Sequence, residues 1–258
     1  MTLPKAFGDF SAVAQQYLLR PRYSPTLMSH LINDVQREYP EALFADIGAG
    51  TGAIAWTLVE NGLSGFAVEP DSEMIRAGQR SDEGSASLEW LKGTGEGTGL
   101  PDESIDWVLY GSSFHWTDFR GAISETLRIL RPGGFITILY LLTDLEHDPI
   151  HIEIENIIRA TAPGLRRARA PVMALIPSLE PALIECQGLE PPIQLRSSQK
   201  IPMTAELYYN YWRTSHDIPS QLGQADWEDL LAKIRDTYLR RSPESIRFQT
   251  LAWHSRKR

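Results

Sequence analysis

Nine consecutive residues constrain this chain more than any other segment: Ala45-Asp46-Ile47-Gly48-Ala49-Gly50-Thr51-Gly52-Ala53. They stand between a short apolar run, Leu43–Ile47, and a stretch of helical spacing, Gly52–Asn61, with Ile54, Leu58 and Val59 on one side. Glycines between a strand and a helix let the backbone turn sharply and approach a ligand with no Cβ in the way. Glu69 ends the next predicted strand, Gly65–Glu69, 17 residues beyond Gly52. A carboxylate there can accept two hydrogen bonds from a ribose diol. The bland alternative is a tight turn followed by a surface glutamate.

The pattern around this loop repeats. Residues 24–39 read as a helix, with Ser24 as cap, Pro25 in the first turn and Leu27, Leu31 and Val35 at four-residue spacing. Asp71–Arg80 and Asp118–Leu130 read as helices, the second stopped by Arg131-Pro132-Gly133-Gly134. Leu88–Leu91, Ile105–Tyr110 and Phe135–Leu142 read as strands. Strands alternating with helices predict an α/β fold, a doubly wound and mostly parallel sheet. After residue 145 the rhythm breaks. Residues 149–188 and 204–240 look helical, and Ile193–Ile201 and Ile246–Trp253 could be strands. Residues 1–148 and 189–258 are therefore assigned to the sheet domain, and about 149–188 and 204–240 to a helical cap inserted into it.

Composition excludes several classes. At about 150 residues per domain, 258 residues suit one domain with an elaboration. An apolar fraction of 42% is too high for a disordered chain. The net charge of −8 argues against nucleic acid as a partner. The strongest apolar run, Phe135–Leu142, is too short to cross a bilayer, so no membrane span is expected. The first sixteen residues lack a charged segment followed by an apolar core, so no secretory signal is expected. One cysteine, Cys186, forms no internal disulfide and suits a reducing, cytoplasmic setting. The histidines and acids have no recognised metal spacing, so no metal is expected. Arg256-Lys257-Arg258 reads as a solvated tail.

Two ligand classes fit the loop. Gly48-x-Gly50-x-x-Ala53 satisfies the dinucleotide fingerprint when alanine is allowed last, which keeps an NAD(P)-dependent oxidoreductase as the alternative. The same residues satisfy Asp-x-Gly-x-Gly-x-Gly, and here the chain resembles the class I S-adenosylmethionine-dependent methyltransferases. An acid at Asp46 suits a ligand with an ammonium and a sulfonium, and would repel a pyrophosphate on the helix N-terminus. Glu69-Pro70-Asp71-Ser72-Glu73-Met74 resembles the family's second motif, which implies that Glu69 holds the ribose and Met74 packs on the adenine. Leu91-Lys92-Gly93-Thr94-Gly95-Glu96, followed by Leu100-Pro101, resembles the next motif, departing from it with Thr94 at the usual aspartate and Gly95 at the usual alanine. Thr94 can still accept a hydrogen bond from the adenine amine, and the Gly95 N–H remains available.

Tyr110-Gly111-Ser112-Ser113-Phe114-His115-Trp116 resembles the Phe-His-Trp signature of a small-molecule subgroup that includes trans-aconitate and quinone-biosynthesis methyltransferases. Phe10–Tyr17 and Arg20-Pro21-Arg22-Tyr23 also resemble that subgroup, in which such segments close over the cofactor. The resemblance implies a Rossmann-like, seven-stranded fold and S-adenosyl-L-methionine as cofactor. It implies Tyr17, Arg22, Asp46, Gly48, Ala49, Gly50, Gly52, Glu69, Pro70, Met74, Thr94, Gly95, Glu96 and Ser112 as cofactor-binding residues. His115 is the candidate base. Phe114, Trp116, His151, Tyr208, Trp212 and His216 are candidates for a small-molecule acceptor, the last four within the aromatic-rich cap. A non-catalytic cofactor-binding protein is a further alternative. The state expected is monomer or homodimer.

Overall fold

The computed structural model describes residues 11–79, 86–166, 169–215 and 218–258. In chain order these form α1 (Ala14–Tyr17), α2 (Pro25–Glu38), β1 (Leu43–Ile47), α3 (Ala53–Glu60), β2 (Ser64–Val68), α4 (Ser72–Gln79), β3 (Leu88–Leu91), β4 (Ile105–Gly111), α5 (Phe119–Ile129), β5 (Leu130–Thr143), α6 (Pro149–Thr161), α7 (Arg169–Ile184), β6 (Ile193–Ile201), α8 (Ala205–Arg213), α9 (Pro219–Leu222), α10 (Gln224–Arg241) and β7 (Ile246–Arg256). The strands make one seven-stranded sheet of order β3-β2-β1-β4-β5-β7-β6. Strands β1 to β5 pair in parallel, while β7 pairs antiparallel with both β5 and β6. Among the described residues no helix is long and apolar enough to cross a membrane.

Each face of the sheet buries its own helices. Phe44, Trp107, Leu109, Phe135 and Leu139 pack with α2 and α3 through Leu31, Val35, Ile54 and Leu58. Val108, Tyr110, Ile136, Ile138 and Trp253 pack on the other face with Ala122, Ile123 and Ile129 of α5. These central strands are buried along nearly their whole length, as parallel strands covered on both faces must be. Helix α2 starts where its residues direct: the Ser24 side chain accepts from the Leu27 N–H, and Pro25 opens the first turn.

Two expectations are corrected. Arg131-Pro132-Gly133-Gly134 stops α5, but strand β5 already begins at Leu130 and carries these residues with it. The pairing with β4 shifts register between Ile105 and Trp107, and Gly133 takes φ +81°. The carboxyl-terminal residues are docked and not a free tail. Arg256 Nε donates to the Gly133 carbonyl at 2.8 Å, and Lys257 Nζ donates to the carbonyls of Leu127 and Leu130 at the end of α5. A lysine there satisfies carbonyls that the helix leaves unpaired.

The expected cap divides. Helices α6, α8 and α10 share one cluster with Ile246 and Phe248 of β7. Helix α7 instead sends Val172, Leu179 and Leu183 into the cluster of the sheet.

Candidate functional site

The carboxyl ends of β1, β2 and β4 converge, the place where open α/β sheets bind ligands. The N–H groups of Gly48 and Ala49 both donate to the Val68 carbonyl, at 2.8 and 3.1 Å, which folds the loop over the end of β2. Gly48 has φ +67°, and a Cβ there would lie 2.5 Å from the Ser113 Cβ. The loop therefore lies directly against the tip of β4. Gly50 has φ +59° with open space on its Cβ side.

Two acids flank this loop. Glu69 is buried just past β2 and accepts from Gly50 N–H at 2.8 Å through one oxygen and from Asp71 N–H at 3.0 Å through the other. Each carboxylate oxygen keeps a second lone pair for a diol. Burial pushes the Glu69 carboxyl upward, against those backbone bonds. Asp46, 1% exposed, accepts from Ala55 N–H at 3.1 Å in the first turn of α3. Burial pushes its carboxyl up to about 7, with Glu69 adding in the same direction.

The next segment makes a tight turn, with Thr94 and Gly97 exchanging backbone hydrogen bonds. Thr94 and Glu96 are exposed, and Gly95 is buried where a Cβ would meet the Thr117 side chain at 2.6 Å. Glu96 accepts from Asp118 N–H at 2.7 Å. Glu125, which the sequence reading did not single out, anchors the far side of this loop. Its carboxylate accepts from the Thr98 N–H and hydroxyl at 2.8 and 2.6 Å, and Arg128 beside it holds its carboxyl down to about 2.

At the tip of β4, Ser112 has φ +53°, a left-handed conformation that costs a non-glycine residue energy. Its Oγ accepts from the Tyr23 hydroxyl at 3.0 Å and from Leu141 N–H at 3.3 Å. Ser113 Oγ donates to the Ile47 carbonyl at 2.6 Å, tying β4 to β1. Tyr23 lies in the quoted Arg-Pro-x-Tyr segment, yet only the fold shows that it is the side chain reaching β4.

Residues 45–138 match the family model described as "Methyltransferase domain". This segment is similar to methyltransferase domains. A methyltransferase of Mycobacterium tuberculosis, itself uncharacterised, is 36% identical over 139 residues, 54% of this chain and 53% of that protein. The ubiquinone/menaquinone biosynthesis C-methyltransferase of Dinoroseobacter shibae is 33% identical over 144 residues, 51% of this chain and 57% of that protein. The chain thus spans about half the length of these curated relatives. Among solved structures, a candidate type II methyltransferase from Anaeromyxobacter dehalogenans superimposes with a TM-score of 0.60 at 20% identity, covering 93% of this chain and 97% of that one. That likeness is one of fold.

Residues 11–23 and helices α6 to α10 lie outside the matched residues 45–138, and here several residues expected at the site have other partners. Helix α1 packs Ala14 and Tyr17 against Met74 and Ala77 of α4. Met74 is accordingly buried, while Pro70 beside Glu69 is exposed. Arg22, expected on the cofactor, is exposed and pairs with Glu60 of α3 at 2.8 Å. Arg20 turns inward instead. It donates to the Tyr17 hydroxyl at 2.8 Å and lies over the rings of Tyr17 and Tyr211, 4.8 and 5.4 Å from their centroids. Two residues apart on irregular chain, these arginines face opposite ways.

The Phe-His-Trp turn also splits by side chain. Phe114 enters the sheet core, edge-on to Tyr110 and Phe119. His115 and Trp116 stay half-buried. The His115 ring lies 4.6 Å from that of Trp116 and 5.8 Å from that of Tyr140. Its Nδ1 is buried with no hydrogen-bond partner among the described residues. Burial lowers its pKa to about 4, so the imidazole is neutral near pH 7.

Tyr208 (0% exposed), Trp212 (3%) and His151 (1%) are the interior of the cap, not the lining of an open pocket. Tyr208 and Trp212 are one helical turn apart and share the inward face of α8. Tyr211, on the adjoining face, lies under the Arg20 guanidinium. His216 lies outside the described residues.

Proposed function

We propose that this protein binds S-adenosyl-L-methionine at the tips of β1, β2 and β4 and methylates a small-molecule acceptor, without nucleic acid or membrane as a partner. The observation that carries this reading is the pair of buried acids, Asp46 and Glu69, on either side of a glycine loop with open space at Gly50. Two carboxylates favour a cationic, diol-bearing ligand and oppose a pyrophosphate. Gly48, Ala49, Gly50 and Gly52 form the floor of the site, Glu69 takes the ribose, and Pro70, Met74, Thr94, Gly95 and Glu96 flank the adenine. Ser112 lies near the sulfur. Arg20, with Tyr17, takes the methionine carboxylate in place of Arg22.

When bound, the cofactor supplies a methyl group on a sulfonium: the acceptor–methyl bond forms, the S–CH3 pair returns to sulfur, and any acceptor proton is left for the protein. The protein's own part is to orient the acceptor, exclude water and receive that proton. Burial keeps His115 neutral and also lowers its basicity, so it would receive that proton only as the methyl bond forms. The protein is further read as cytoplasmic, a monomer or homodimer, and part of a biosynthetic route.

The test is incubation with S-adenosylmethionine labelled on its methyl group and a small-molecule extract of the source cells, read by mass spectrometry. A labelled methyl adduct, lowered at least tenfold in His115→Ala, is expected. Cofactor binding with no adduct in any extract would contradict the reading.

A further inference from the structure

At the opposite end of the sheet from the glycine loop lies an open cleft of about 320 Å³. Helix α2 walls it on one side and the chain entering β6 on the other, over Phe135 of β5 and His254 of β7. Phe135 pairs with Trp107, which pairs with Phe44, so this is the amino end of the parallel strands.

A line of polar groups runs through the core to this cleft. Trp107 Nε1 donates to Thr137 Oγ1 at 2.8 Å, and Thr137 Oγ1 lies 2.7 Å from His254 Nδ1. An indole nitrogen only donates. The Thr137 hydroxyl has no other acceptor among the described residues, so it donates to Nδ1, and the His254 proton sits on Nε2. His254 is 5% exposed and lines the cleft, yet its Nε2 makes no hydrogen bond among the described residues. Asp34 Oδ2, 3.5 Å away, is too far for a good one. Burial lowers the His254 pKa to about 4, so the ring is neutral near pH 7. The ring stacks on Phe135 with centroids 4.9 Å apart, a place that a carbon ring would fill without leaving a buried N–H unsatisfied.

The charges around this N–H leave one acid over. Arg37 donates to Asp34 Oδ1 at 3.1 Å, and Arg256 donates to Glu38 Oε2 at 3.3 Å and to the Gly133 carbonyl. The third carboxylate of the cleft, Glu190, has no side-chain hydrogen bond or ion pair among the described residues. Beside it Ile193 is 62% exposed, a large apolar side chain at the mouth. A free carboxylate attracts a cation and repels an anion. A hydroxyl group fits between His254 and Asp34, because it can accept from one and donate to the other.

We propose that this cleft is a second ligand site, separate from the glycine loop, and that it takes a small amino alcohol. The hydroxyl accepts from His254 Nε2 and donates to Asp34 Oδ2, the ammonium meets Glu190, and the apolar body covers Ile193.

The test uses the full chain and three probes that share a ring and a hydroxyl but differ in charge: 2-amino-1-phenylethanol, 1-phenylethanol and mandelate. In methyl-labelled protein, with the Ile193 resonance identified through Ile193→Val, the amino alcohol should shift that resonance with a Kd at least fivefold below either other probe. The shift should persist with S-adenosylhomocysteine in excess. Glu190→Gln, a change on an exposed side chain, should weaken binding at least threefold and leave Tm unchanged. The imidazole nitrogen spectrum of His254 should show the Nε2–H form. No shift of Ile193 by any probe, equal or tighter binding of 1-phenylethanol or mandelate, displacement by S-adenosylhomocysteine, unchanged affinity in Glu190→Gln, or a proton on Nδ1 would overturn the inference. The methyltransferase reading would stand in each case, because the two sites share no residue.

Discussion

The glycine-loop end of the sheet and the helical cap are built on different terms. At the loop, backbone groups and short polar side chains do the holding: Glu69 grips Gly50 and Asp71, Asp46 grips Ala55, and Gly48 fits against Ser113. In the cap, large apolar and aromatic bodies do it, with Tyr208, Trp212, Trp227 and Tyr238 buried together. The first end is specific in geometry, its polar bonds set on an apolar base of Ile47, Ala49, Ile54 and Val68. The second is held by apolar packing. Directional bonds over short chain distances make a site readable from residue order, and nondirectional packing does not.

That contrast can be broken most forcefully in the cap. Trp212→Ala should cost about 3–5 kcal/mol of stability, read as a lowered Tm. The S-adenosylhomocysteine Kd should stay within twofold. A collapse of cofactor affinity in this variant would mean that cap and loop form one cooperative unit.

At the loop, two glycines with similar φ should behave differently. Gly48→Ala adds a collision with Ser113 to the left-handed strain, so the variant should lose both stability and cofactor affinity, the latter at least tenfold. Gly50→Ala meets open space in the ligand-free fold, so its stability should fall only by the strain, about 1–2 kcal/mol, and any loss of cofactor affinity comes from a Cβ in the ligand's space. Equal effects at both positions would contradict the close approach of loop and β4.

Asp46 gives the smallest effect, dependent on pH. Its carboxyl is raised to about 7 in the fold from an ordinary 3.8. A raised group favours the folded state most at low pH, so its contribution is full below 3.8 and is lost as pH rises through 7. The ligand-free protein should therefore lose a little Tm between pH 6 and 8. S-adenosylmethionine affinity should rise severalfold over the same range, because the anionic form attracts the cation. Asp46→Asn should flatten both trends, and persistence of either would assign it to another group.

Much of the sheet domain was legible in the residues. Ile193–Ile201 is a strand with the expected bounds, and Ser24-Pro25 starts α2 as its capping chemistry requires. Glu69 stands at the strand end because the loop-to-acid spacing is set by one helix and one strand. What was not legible depends on partners distant in sequence. Arg22 and Arg20 are distinguished only by Glu60 and Tyr211, which the fold brings to them. The carboxyl-terminal Arg256 and Lys257 are claimed by carbonyls more than a hundred residues earlier. Phe114 and His115 are adjacent, and a single 3-10 turn sends one into the core and leaves the other half-buried. The aromatic density of α8 is buried packing, which composition alone does not separate from a pocket.

The central claim is that Glu69 and the glycine loop hold the cofactor. Calorimetric titration of S-adenosylhomocysteine into the protein and into Glu69→Ala tests it directly. The account predicts one molecule bound per chain, and a loss of about 1.5–3 kcal/mol, tenfold or more in Kd, in the variant. No binding to the unaltered protein, or the same affinity in both, would contradict it.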